Sequence, residues 1–530
     1  MAQTQHRRQE IEQIVVTGAQ MGDIEARIFA AGMPVAALME KVGGLIAHRI
    51  VETFDEMSLH RSGTQRVGIL VGPGHNGGDA LVVARELHFR GYEVLLYRPI
   101  SKLKELTSQH ADYVNSLGIP SSDSIDSLQA CDLLVDGLFG YGLERSLEDP
   151  VASAINQINQ WSKPIVSIDL PSGLHTDTGK VLGTAVCATR TFCLGLWKLG
   201  LLQDGALDYI GTAELIDFDI PLADVQAVLG SSPRIRRITT TKAIATLPLP
   251  RPPVTHKYKQ GHLLLICGSR RYAGGAILAG LGARSSGVGM LSIAVPESIK
   301  PMLNAQLPEA LVVGCPETEN GAIAHLNLPE GTDLSSFGAI ACGPGLTLEA
   351  TPILQMVLKS NCPLVLDADG LNILAILGTI PTLSQRQAPT VLTPHVGEFK
   401  RLFPDAPDPM KDRVGAVRKA AQSSRAVVLL KGARTAIAHA SGSVWINPES
   451  TPALARGGSG DVLTGLLGGL LAQATLQHIP IDAIVATAAM WHSGAGIKAA
   501  HERTEMGVDA FTLTNYLIPV LRDFFPPTSR

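Results

Sequence analysis

The residues most suggestive of chemistry lie in the stretch TPALARGGSGDVLTGLLGGLLAQ, where a turn with Gly457, Gly458 and Gly460 precedes an apolar, helix-prone run starting near Val462. A helix start leaves N–H groups unpaired and is electrically positive. Glycines let a phosphate approach those groups closely. Asp461 lies where that anion would bind, so its natural task is to take a proton from a hydroxyl group. So short a motif also fits an ordinary capped helix beside a flexible loop, and its interpretation depends on the rest of the chain.

Four other motifs of the second half could cooperate with this turn, namely GPGL, TPHVGE, LKGART and YAGGAIL. Together they predict a nucleotide groove. Backbone N–H groups of the glycine turn would hold the phosphates, Glu398 would lie near magnesium, and Asp461 would face the acceptor hydroxyl. Each motif could instead be structural, and His395 on its own is more typical of a loop histidine with ordinary hydrogen bonds.

The first half carries the turn GPGHNGGD, which contains a formal GxGxxG between a predicted strand and a predicted helix. That is the position of a dinucleotide-binding loop, but the motif alone is a weak signal. A dehydrogenase would place an acid at the end of the next strand, where this chain has Tyr97 and Arg98. The usual NAD ribose contact is therefore missing.

Polar side chains also follow successive strands of the first half. Asn76, Asp136, Asp169 and Ser172 all stand at predicted carboxyl ends, where open parallel sheets bind ligands. Such oxygen atoms could form a cation site beside an anion-binding loop. The alternative is that they are turn residues, since Asp, Asn and Ser favour turns. Lys198 is a lone lysine among apolar residues; it is either a surface side chain or a desolvated group that assists proton transfer.

Two sheets are needed to position these residues. Strand, turn, helix and strand alternate through both halves, which predicts parallel sheets with right-handed crossovers. The predicted fold class is α/β with two doubly wound domains. We predict a first domain over 1–225, an extended linker rich in proline and basic residues over 226–260, and a second domain over 261–530.

Composition excludes some functions. The chain has 530 residues, 45% of them hydrophobic, and a net charge of −4 without a long basic run, so neither a nucleic acid nor a membrane surface is an expected partner. The seven cysteines form no CxxC pair and the start of the chain lacks a signal peptide's apolar segment. Buried reduced thiols and a cytoplasmic location are therefore expected.

The first half resembles the NAD(P)H-hydrate epimerase domain through GPGHNGGD, VDGLFGYGLERSL, SIDLPSG and LWKLGLL, over about residues 10–220. The resemblance implies a Rossmann-like three-layer sandwich, a potassium ion bound by Asn76, Asp136 and Ser172, and catalysis by Asp169 with Lys198 assisting. It implies these substrate-binding residues: His75, Asn76, Gly77, Gly78, Asp79, Gly140, Tyr141, Gly142, Leu143, Glu144, Arg145, Ser146 and Asp169. Lys41 and Ala80 replace the family's usual Asn and Gly, which affects the expected fine geometry of the pocket.

The second half resembles the ADP-dependent (S)-NAD(P)H-hydrate dehydratases of the ribokinase-like superfamily through TPHVGE, LDADGLN, LKGART and LARGGSGDVLTGLLGGLLAQ, over about residues 240–520. His395 takes the place of an Asn in the related kinases, and Glu398 keeps their carboxylate and the expected magnesium contact. The resemblance implies that Asp461 is the base. It implies contacts to the hydrated nucleotide from Ala276, Gly345, His395 and Asp461, and to the adenine nucleotide from Lys431, Gly432, Ala433, Arg434, Thr435 and Gly460.

These resemblances imply one bifunctional repair enzyme. It would epimerise the hydrates of NADH and NADPH (NADHX and NADPHX) and dehydrate the S form with ADP, giving NAD(P)H, AMP and phosphate. The expected partners are these small molecules, and a homo-oligomer is expected. Two other classes stay open: an ATP-dependent vitamin or sugar kinase with an accessory dinucleotide domain, and a non-catalytic nucleotide-binding protein.

Overall fold

The computed structural model describes residues 2–56 and 65–524. By its internal contacts the chain divides into two compact units, one up to Pro233 and one from Arg234 onward. The predicted linker, 226–260, is not extended throughout. Ile235–Arg237 is a strand and Thr240–Thr246 a helix, and both belong to the second unit. Thr487 donates a hydrogen bond of 3.3 Å to the carbonyl of Ala243 in that helix.

The first unit alternates strands and helices after a helical start. Its helices are α1 Ala2–Ile11, α2 Gly18–Ala30, α3 Val35–Glu56, α4 His75–Phe89, α5 Glu105–Ser116, α6 Val151–Ile158, α7 Leu207–Ile210 and α8 Leu222–Leu229. Its strands are β1 Val15–Val16, β2 Arg66–Val71, β3 Glu93–Tyr97, β4 Ser121–Ser122, β5 Leu133–Gly137, β6 Ile165–Ile168, β7 Arg190–Leu194, β8 Trp197–Lys198 and β9 Thr212–Ile216.

Within the described residues, the main sheet of this unit runs in the order β4-β3-β2-β5-β6-β7-β9, with every pair parallel. Alternate residues of β2 point to opposite faces. Val67 and Ile69 join the core formed with α2 to α5, whereas Leu70 joins a second core with α6. Both faces of the sheet are therefore covered, as a three-layer sandwich requires.

The second unit is built around a larger sheet. Its strands are β10 Ile235–Arg237, β11 His262–Ile266, β12 Met290–Pro296, β13 Leu311–Cys315, β14 Ala339–Cys342, β15 Leu364–Leu366, β16 Thr390–Leu392, β17 Val427–Leu430, β18 Ala436–Ala438 and β19 Val444–Ile446. Its helices are α9 Thr240–Thr246, α10 Ala273–Ser285, α11 Lys300–Gln306, α12 Thr351–Lys359, α13 Asp369–Leu377, α14 Thr379–Ser384, α15 Val396–Leu402, α16 Arg413–Ser424, α17 Ser459–Gln477, α18 Ile481–Arg503 and α19 Ala510–Phe524.

In the part of the chain that is described, this sheet has the order β10-β19-β18-β17-β16-β15-β14-β11-β12-β13. It is parallel except at β17–β18 and β18–β19, because β18 runs antiparallel to both of its neighbours. The central strands are short apolar runs buried on both faces, as parallel strands between helix layers must be. The prediction of an α/β protein with two doubly wound domains is confirmed.

Two further sequence expectations can be compared with the structure. All seven cysteines are free, but Cys187 is exposed where buried thiols were predicted. None of the helices in the described stretches is both long and apolar enough to cross a bilayer.

Candidate active sites

The first site is organised by the start of α4. Gly74 takes the capping position with extended backbone, so the helix begins at His75, and the NGGD segment forms its first turn instead of the predicted loop before it. Gly77 packs so tightly that an added Cβ would lie 1.9 Å from the carbonyl oxygen of Gly72. The close contact between the turn and the helix therefore explains why position 77 is a glycine. The same contact places Asn76 and Asp79 at the carboxyl edge of the sheet.

Asp136 ends β5 and is fully buried. It lies opposite Ser167 in the parallel register with β6 and accepts a 2.8 Å hydrogen bond from that hydroxyl. Ser172 donates to the same carboxyl group from its hydroxyl at 2.6 Å and from its backbone N–H at 2.8 Å. Burial raises the pKa of Asp136 despite these hydrogen bonds. The predicted potassium ligands Asp136 and Ser172 thus contact each other directly.

Asn76, the third predicted potassium ligand, lies nearer to the second glycine loop. A Cβ added to Gly140 would be 3.2 Å from the Asn76 Oδ1 atom and 3.1 Å from an Asp169 carboxylate oxygen. The Nδ2 atom of Asn76 is buried without a hydrogen-bond partner among the described residues. An unpartnered buried amide is the kind of group that a ligand satisfies.

Asp169 and Lys198 form a buried ion pair. The Lys198 Nζ lies 2.6 Å from Asp169 Oδ1, and both side chains are almost inaccessible, at 1% and 4% exposure. Asp169 also accepts hydrogen bonds from the backbone N–H groups of Tyr141, at 3.1 Å, and Leu194, at 3.3 Å. Burial lowers the pKa of Lys198, but the Asp169 carboxylate together with Cys193 and Glu25 outweighs it, and the net shift is upward. Lys198 is therefore a desolvated lysine and not a surface one.

A cavity of about 840 Å³ opens over this ion pair. Most of the predicted substrate-binding residues line it: His75, Asn76, Asp79, Gly140, Tyr141, Gly142, Leu143, Glu144, Arg145 and Asp169, together with Lys198. Gly78 lies behind the wall, where an added Cβ would meet the Met39 sulfur at 2.6 Å. Ser146 is exposed in the following loop.

Sequence reasoning missed one acid of this cavity, Glu25 on α2. Its Oε2 atom accepts a 2.5 Å hydrogen bond from the Tyr141 hydroxyl. Burial raises the pKa of Glu25, although the Tyr141 hydrogen bond opposes the shift. The pKa of Asp79 is also raised well above its usual range, by burial and by the carboxylates of Asp169 and Glu25. The sequence signal that could have identified Glu25 is its position between Ile24 and Ile28, which are both buried.

The second site lies at the start of α17. Gly458 takes the capping position with φ +92°, and an added Cβ would lie 2.5 Å from Leu278, so glycine is required there on both counts. Asp461 falls in the first helical turn, because the helix begins at Ser459, earlier than the predicted start near Val462. Burial, followed by the carboxylate of Asp367, raises the pKa of Asp461 to about 7. A carboxylate with that pKa is suited to accept a proton near neutral pH.

Lys431 follows β17 and connects this turn to two other carboxylates. Its Nζ lies 2.7 Å from Asp367 Oδ1 and 4.0 Å from Glu398 Oε2. Asp367 is 2% exposed and accepts a 2.7 Å hydrogen bond from Thr464 of α17. The added Cβ of Gly460 would be 3.4 Å from the Lys431 Nζ, so the glycine leaves that ammonium group open. Asp367 and Thr464 were not among the predicted site residues, although LDADGLN was one of the motifs quoted.

His395 acts as the N-cap of α15. Its Nδ1 atom accepts a 2.9 Å hydrogen bond from the Gly397 N–H, while Glu398 Oε2 accepts one of 2.8 Å from the His395 N–H. Burial raises the pKa of Glu398, and Lys431 opposes the shift. The side chain of His395 is 55% exposed, and its Nε2 atom lies 3.5 Å from Glu398 Oε1.

The other predicted residues of this half lie around the same edge of the sheet. Ala276 is buried in α10, and Gly275 beside it faces an Asp461 carboxylate oxygen, 3.2 Å from an added Cβ. Gly345 has φ +65° and packs on Tyr272. The loop after Lys431 contains the remaining predicted nucleotide contacts, Gly432, Ala433, Arg434 and Thr435.

Neither unit contains a cluster of three or more His, Cys, Asp or Glu side chains spaced for a metal within residues 2–56 and 65–524. In the second site, however, Asp367, Glu398 and Asp461 all interact with the single cation Lys431. This excess of negative charge fits a magnesium ion carried on a nucleotide.

The folds and the two acid-lysine sites define the class of protein as a two-domain α/β enzyme, and comparisons with known proteins refine it. Residues 263–519 match the family model described as NAD(P)H-hydrate dehydratase, and residues 35–200 match the YjeF-related protein N-terminus. The bifunctional NAD(P)H-hydrate repair enzyme of Synechocystis is 54% identical over 97% of this chain and 96% of its own. That of Moorella thermoacetica is 35% identical over 96% of this chain and 97% of its own.

The chain belongs to the family of bifunctional NAD(P)H-hydrate repair enzymes, as the sequence predicted. Among solved structures, the ADP/ATP-dependent NAD(P)H-hydrate dehydratase of Bacillus subtilis, co-crystallised with ATP/Mg2+, is 34% identical and covers 54% of this chain and 97% of its own, with a TM-score of 0.47. A ribokinase-like superfamily protein of Enterococcus faecalis is 26% identical, covering 55% of this chain and 96% of its own, with a TM-score of 0.46.

Proposed function

We propose that the chain repairs hydrated NADH and NADPH with two activities, one in each unit. The first unit interconverts the R and S hydrates, and the second dehydrates the S form at the expense of ADP, giving AMP and phosphate. The observation that carries this proposal is the 54% identity to a bifunctional repair enzyme along 97% of the chain. The separate acid-lysine sites in both units support it.

The epimerase chemistry is assigned to the cavity above Asp169. Inversion at the hydroxyl-bearing carbon requires proton movement on both sides of the reacting bond. The Lys198 ammonium group, 2.6 Å away, holds the Asp169 carboxylate in place and supplies positive charge where burial reduces solvent screening. His75, Asp79 and the loop from Gly140 to Ser146 are proposed to bind the nucleotide.

The dehydratase chemistry is assigned to Asp461. Its carboxylate takes the proton from the ring hydroxyl, whose oxygen then accepts a phosphoryl group from ADP. Backbone N–H groups at the start of α17 bind the phosphates, and Lys431 neutralises their charge. Phosphate then leaves with the C–O bonding electrons, and loss of a proton from the neighbouring ring carbon restores the ring double bond. Ala276, Gly345 and His395 are proposed to contact the hydrated nucleotide, and the loop from Lys431 to Thr435, with Gly460, the adenine nucleotide.

Two ions complete the proposal. Asn76, Asp136 and Ser172 offer the oxygen atoms that a potassium ion prefers. The unpartnered Asn76 Nδ2 atom is a hydrogen-bond donor, so it supports a nucleotide oxygen at this site and not the cation. Glu398 is proposed to lie near magnesium, which would offset phosphate charge.

Free cysteines throughout the chain support a reducing compartment such as the cytoplasm. Homo-oligomer formation stays a prediction, for which sedimentation of the purified chain is the test.

The test supplies chemically hydrated NADH with ADP or with ATP and follows recovery of the dihydronicotinamide absorbance. We expect complete recovery with ADP, because epimerisation feeds the R hydrate into dehydration. Recovery that stops when the S hydrate is exhausted would remove the epimerase assignment. Phosphorylation of a vitamin or sugar by ATP, with no recovery of NADH, would favour the kinase alternative.

A further inference from the structure

Glu25 is an acidic side chain of the first cavity to which the proposed function gives no task. It lies on the helix α2, whereas many of the other polar groups of the site lie at strand ends. A glutamate that was only structural would be expected to pair with a cation. The hydrogen bond of the Glu25 carboxyl group is instead with a neutral phenol, that of Tyr141.

Tyr141 joins Glu25 to Asp169 through its two ends. The hydroxyl donates to Glu25 at 2.5 Å, and the backbone N–H of the same residue donates to Asp169 at 3.1 Å. The length of the tyrosine therefore keeps the two carboxyl groups apart while both line one cavity. Two carboxyl groups therefore face one cavity from different elements, Glu25 from α2 and Asp169 from the turn after β6.

The groups facing Glu25 make its surroundings different from those of Asp169. Tyr141 lies on the glycine loop, Asp169 after β6, Asp79 on α4 and Lys198 on β8. Lys198 bonds directly to Asp169 and not to Glu25. Burial raises the pKa of Glu25, and the Tyr141 hydrogen bond and the charge of Lys198 oppose this shift only in part.

We propose that Glu25 is a second catalytic residue of the epimerase site, acting as an acid on one face of the hydrated ring while Asp169 acts as a base on the other. This assignment rests on the proposed function. The hydroxyl-bearing carbon adjoins the ring nitrogen. Glu25 protonates the hydroxyl oxygen, the C–O bond breaks, water leaves with the bonding electrons, and the nitrogen lone pair forms a C=N bond.

Inversion is then completed from the opposite face. A water molecule forms the new C–O bond, the C=N electron pair returns to nitrogen, and the extra proton of the added water passes to Asp169. One water leaves and one enters, and one proton has moved from Glu25 to Asp169. The reverse reaction, or exchange with solvent, returns it. The lysine at 2.6 Å from Asp169 stabilises the carboxylate form that starts the cycle.

The test compares the full chain with Glu25→Gln, and with Asp23→Asn as the control, since Asp23 is an exposed acid on the same helix. Each protein is given one purified epimer without ADP, so that no dehydration competes, and appearance of the other epimer is followed by chromatography. The rate without protein is subtracted. We expect Glu25→Gln to lower kcat by about 100-fold or more with KM within about threefold, and Asp23→Asn to match the unaltered chain.

A kcat for Glu25→Gln within about threefold of the unaltered chain would overturn the assignment, and so would a change in KM alone. If Glu25→Gln does not fold, as judged by thermal unfolding, Glu25→Asp decides. We expect the decline of kcat/KM at high pH to shift to a different pH in Glu25→Asp. A decline at the same pH as in the unaltered chain overturns the proposal. An unaltered chain that does not epimerise at all overturns the proposed function, and this assignment with it.

Discussion

Both units place a lysine against an aspartate that follows a strand of the main sheet, but they use the pair differently. In the first unit the lysine contacts Asp169, the proposed catalytic residue itself, at 2.6 Å. In the second it contacts Asp367 at 2.7 Å, and the proposed base Asp461 is a different carboxylate on the helix above. Among the described residues Asp461 has no ion-pair partner of its own, and burial followed by the Asp367 carboxylate raises its pKa to about 7.

The difference shows that a lysine–aspartate ion pair can serve two tasks, depending on whether the paired aspartate is itself the proposed catalytic residue. A base that is bonded to an ammonium group is held in one position and needs a second acid to complete inversion. A base that only lies near the ammonium group keeps its affinity for a proton, while the lysine stays available to phosphate charge. The following predictions test this comparison.

The largest effect is expected for Asp461→Ala. Removing the base should lower dehydration by about 10³-fold, while epimerisation in the absence of ADP continues. Both rates can be measured on the same preparation by absorbance and by chromatography. ADP consumption at the normal rate by this variant would mean that another group is the base.

Asp169→Ala should have the reverse effect. We expect epimerisation to fall by about 10² to 10³-fold, because the variant removes the base and leaves Lys198 without its partner. Dehydration of purified S hydrate with ADP should persist. Continued interconversion of the epimers by this variant would contradict the role of Asp169, and Asp23→Ala is the matched control.

A difference in stability should accompany these activities. Lys198 is 1% exposed and Lys431 is 24% exposed in their ion pairs. Asp169→Asn should therefore destabilise the first unit by about 3 kcal/mol, whereas Asp367→Asn should cost the second unit about 1 to 2 kcal/mol, since Glu398 and water remain available to Lys431. Urea unfolding of the two variants measures both values. Equal losses would show that the two pairs are desolvated alike.

The two activities should also respond to pH in opposite directions. Asp461 works as a base, so its carboxylate form is required, and with its pKa at about 7 the kcat/KM of dehydration should rise about tenfold per pH unit below that value and level off above it. Glu25 works as an acid with a raised pKa, so epimerisation should decline as pH rises through that pKa. If the pH profiles of the two reactions rise or fall in the same direction, the proposed contrast between the two sites is wrong.

Local patterns predicted the parts of these sites that lie within one strand–turn–helix unit. The start of α17 at the glycine turn, and the carboxylates Asp136 and Asp169 at strand ends, follow from apolar runs bounded by turn residues. The polar groups were placed along the sheet edge because parallel strands end together.

What the sequence did not predict depends on distant contacts. Asp367 and Lys431 are 64 residues apart, and nothing in either motif requires that they pair. Glu25 reaches the site from a helix whose pattern shows only that one face is buried. The strand Ile235–Arg237 pairs with Val444–Ile446, more than 200 residues along the chain, and its three residues have no alternating pattern to indicate a strand. The prolines that follow it favoured an extended linker instead.

The smallest effect concerns His395, whose two possible roles can be separated by comparing two variants. Its Nδ1 atom caps α15 through the Gly397 N–H at 2.9 Å, and this bond is lost in His395→Ala at a cost of about 1 kcal/mol to the second unit. Asn provides a shorter side chain with an acceptor suited to the same position, so His395→Asn should recover most of that stability. The Nε2 atom, which lies 3.5 Å from Glu398 Oε1, has no equivalent in asparagine. If Nε2 contacts the hydrated nucleotide, loss of that contact should raise KM for dehydration in both variants alike. If KM instead recovers together with stability in His395→Asn, the histidine serves the helix alone, and substrate contact on this edge must come from Glu398 or from the loop at Gly345.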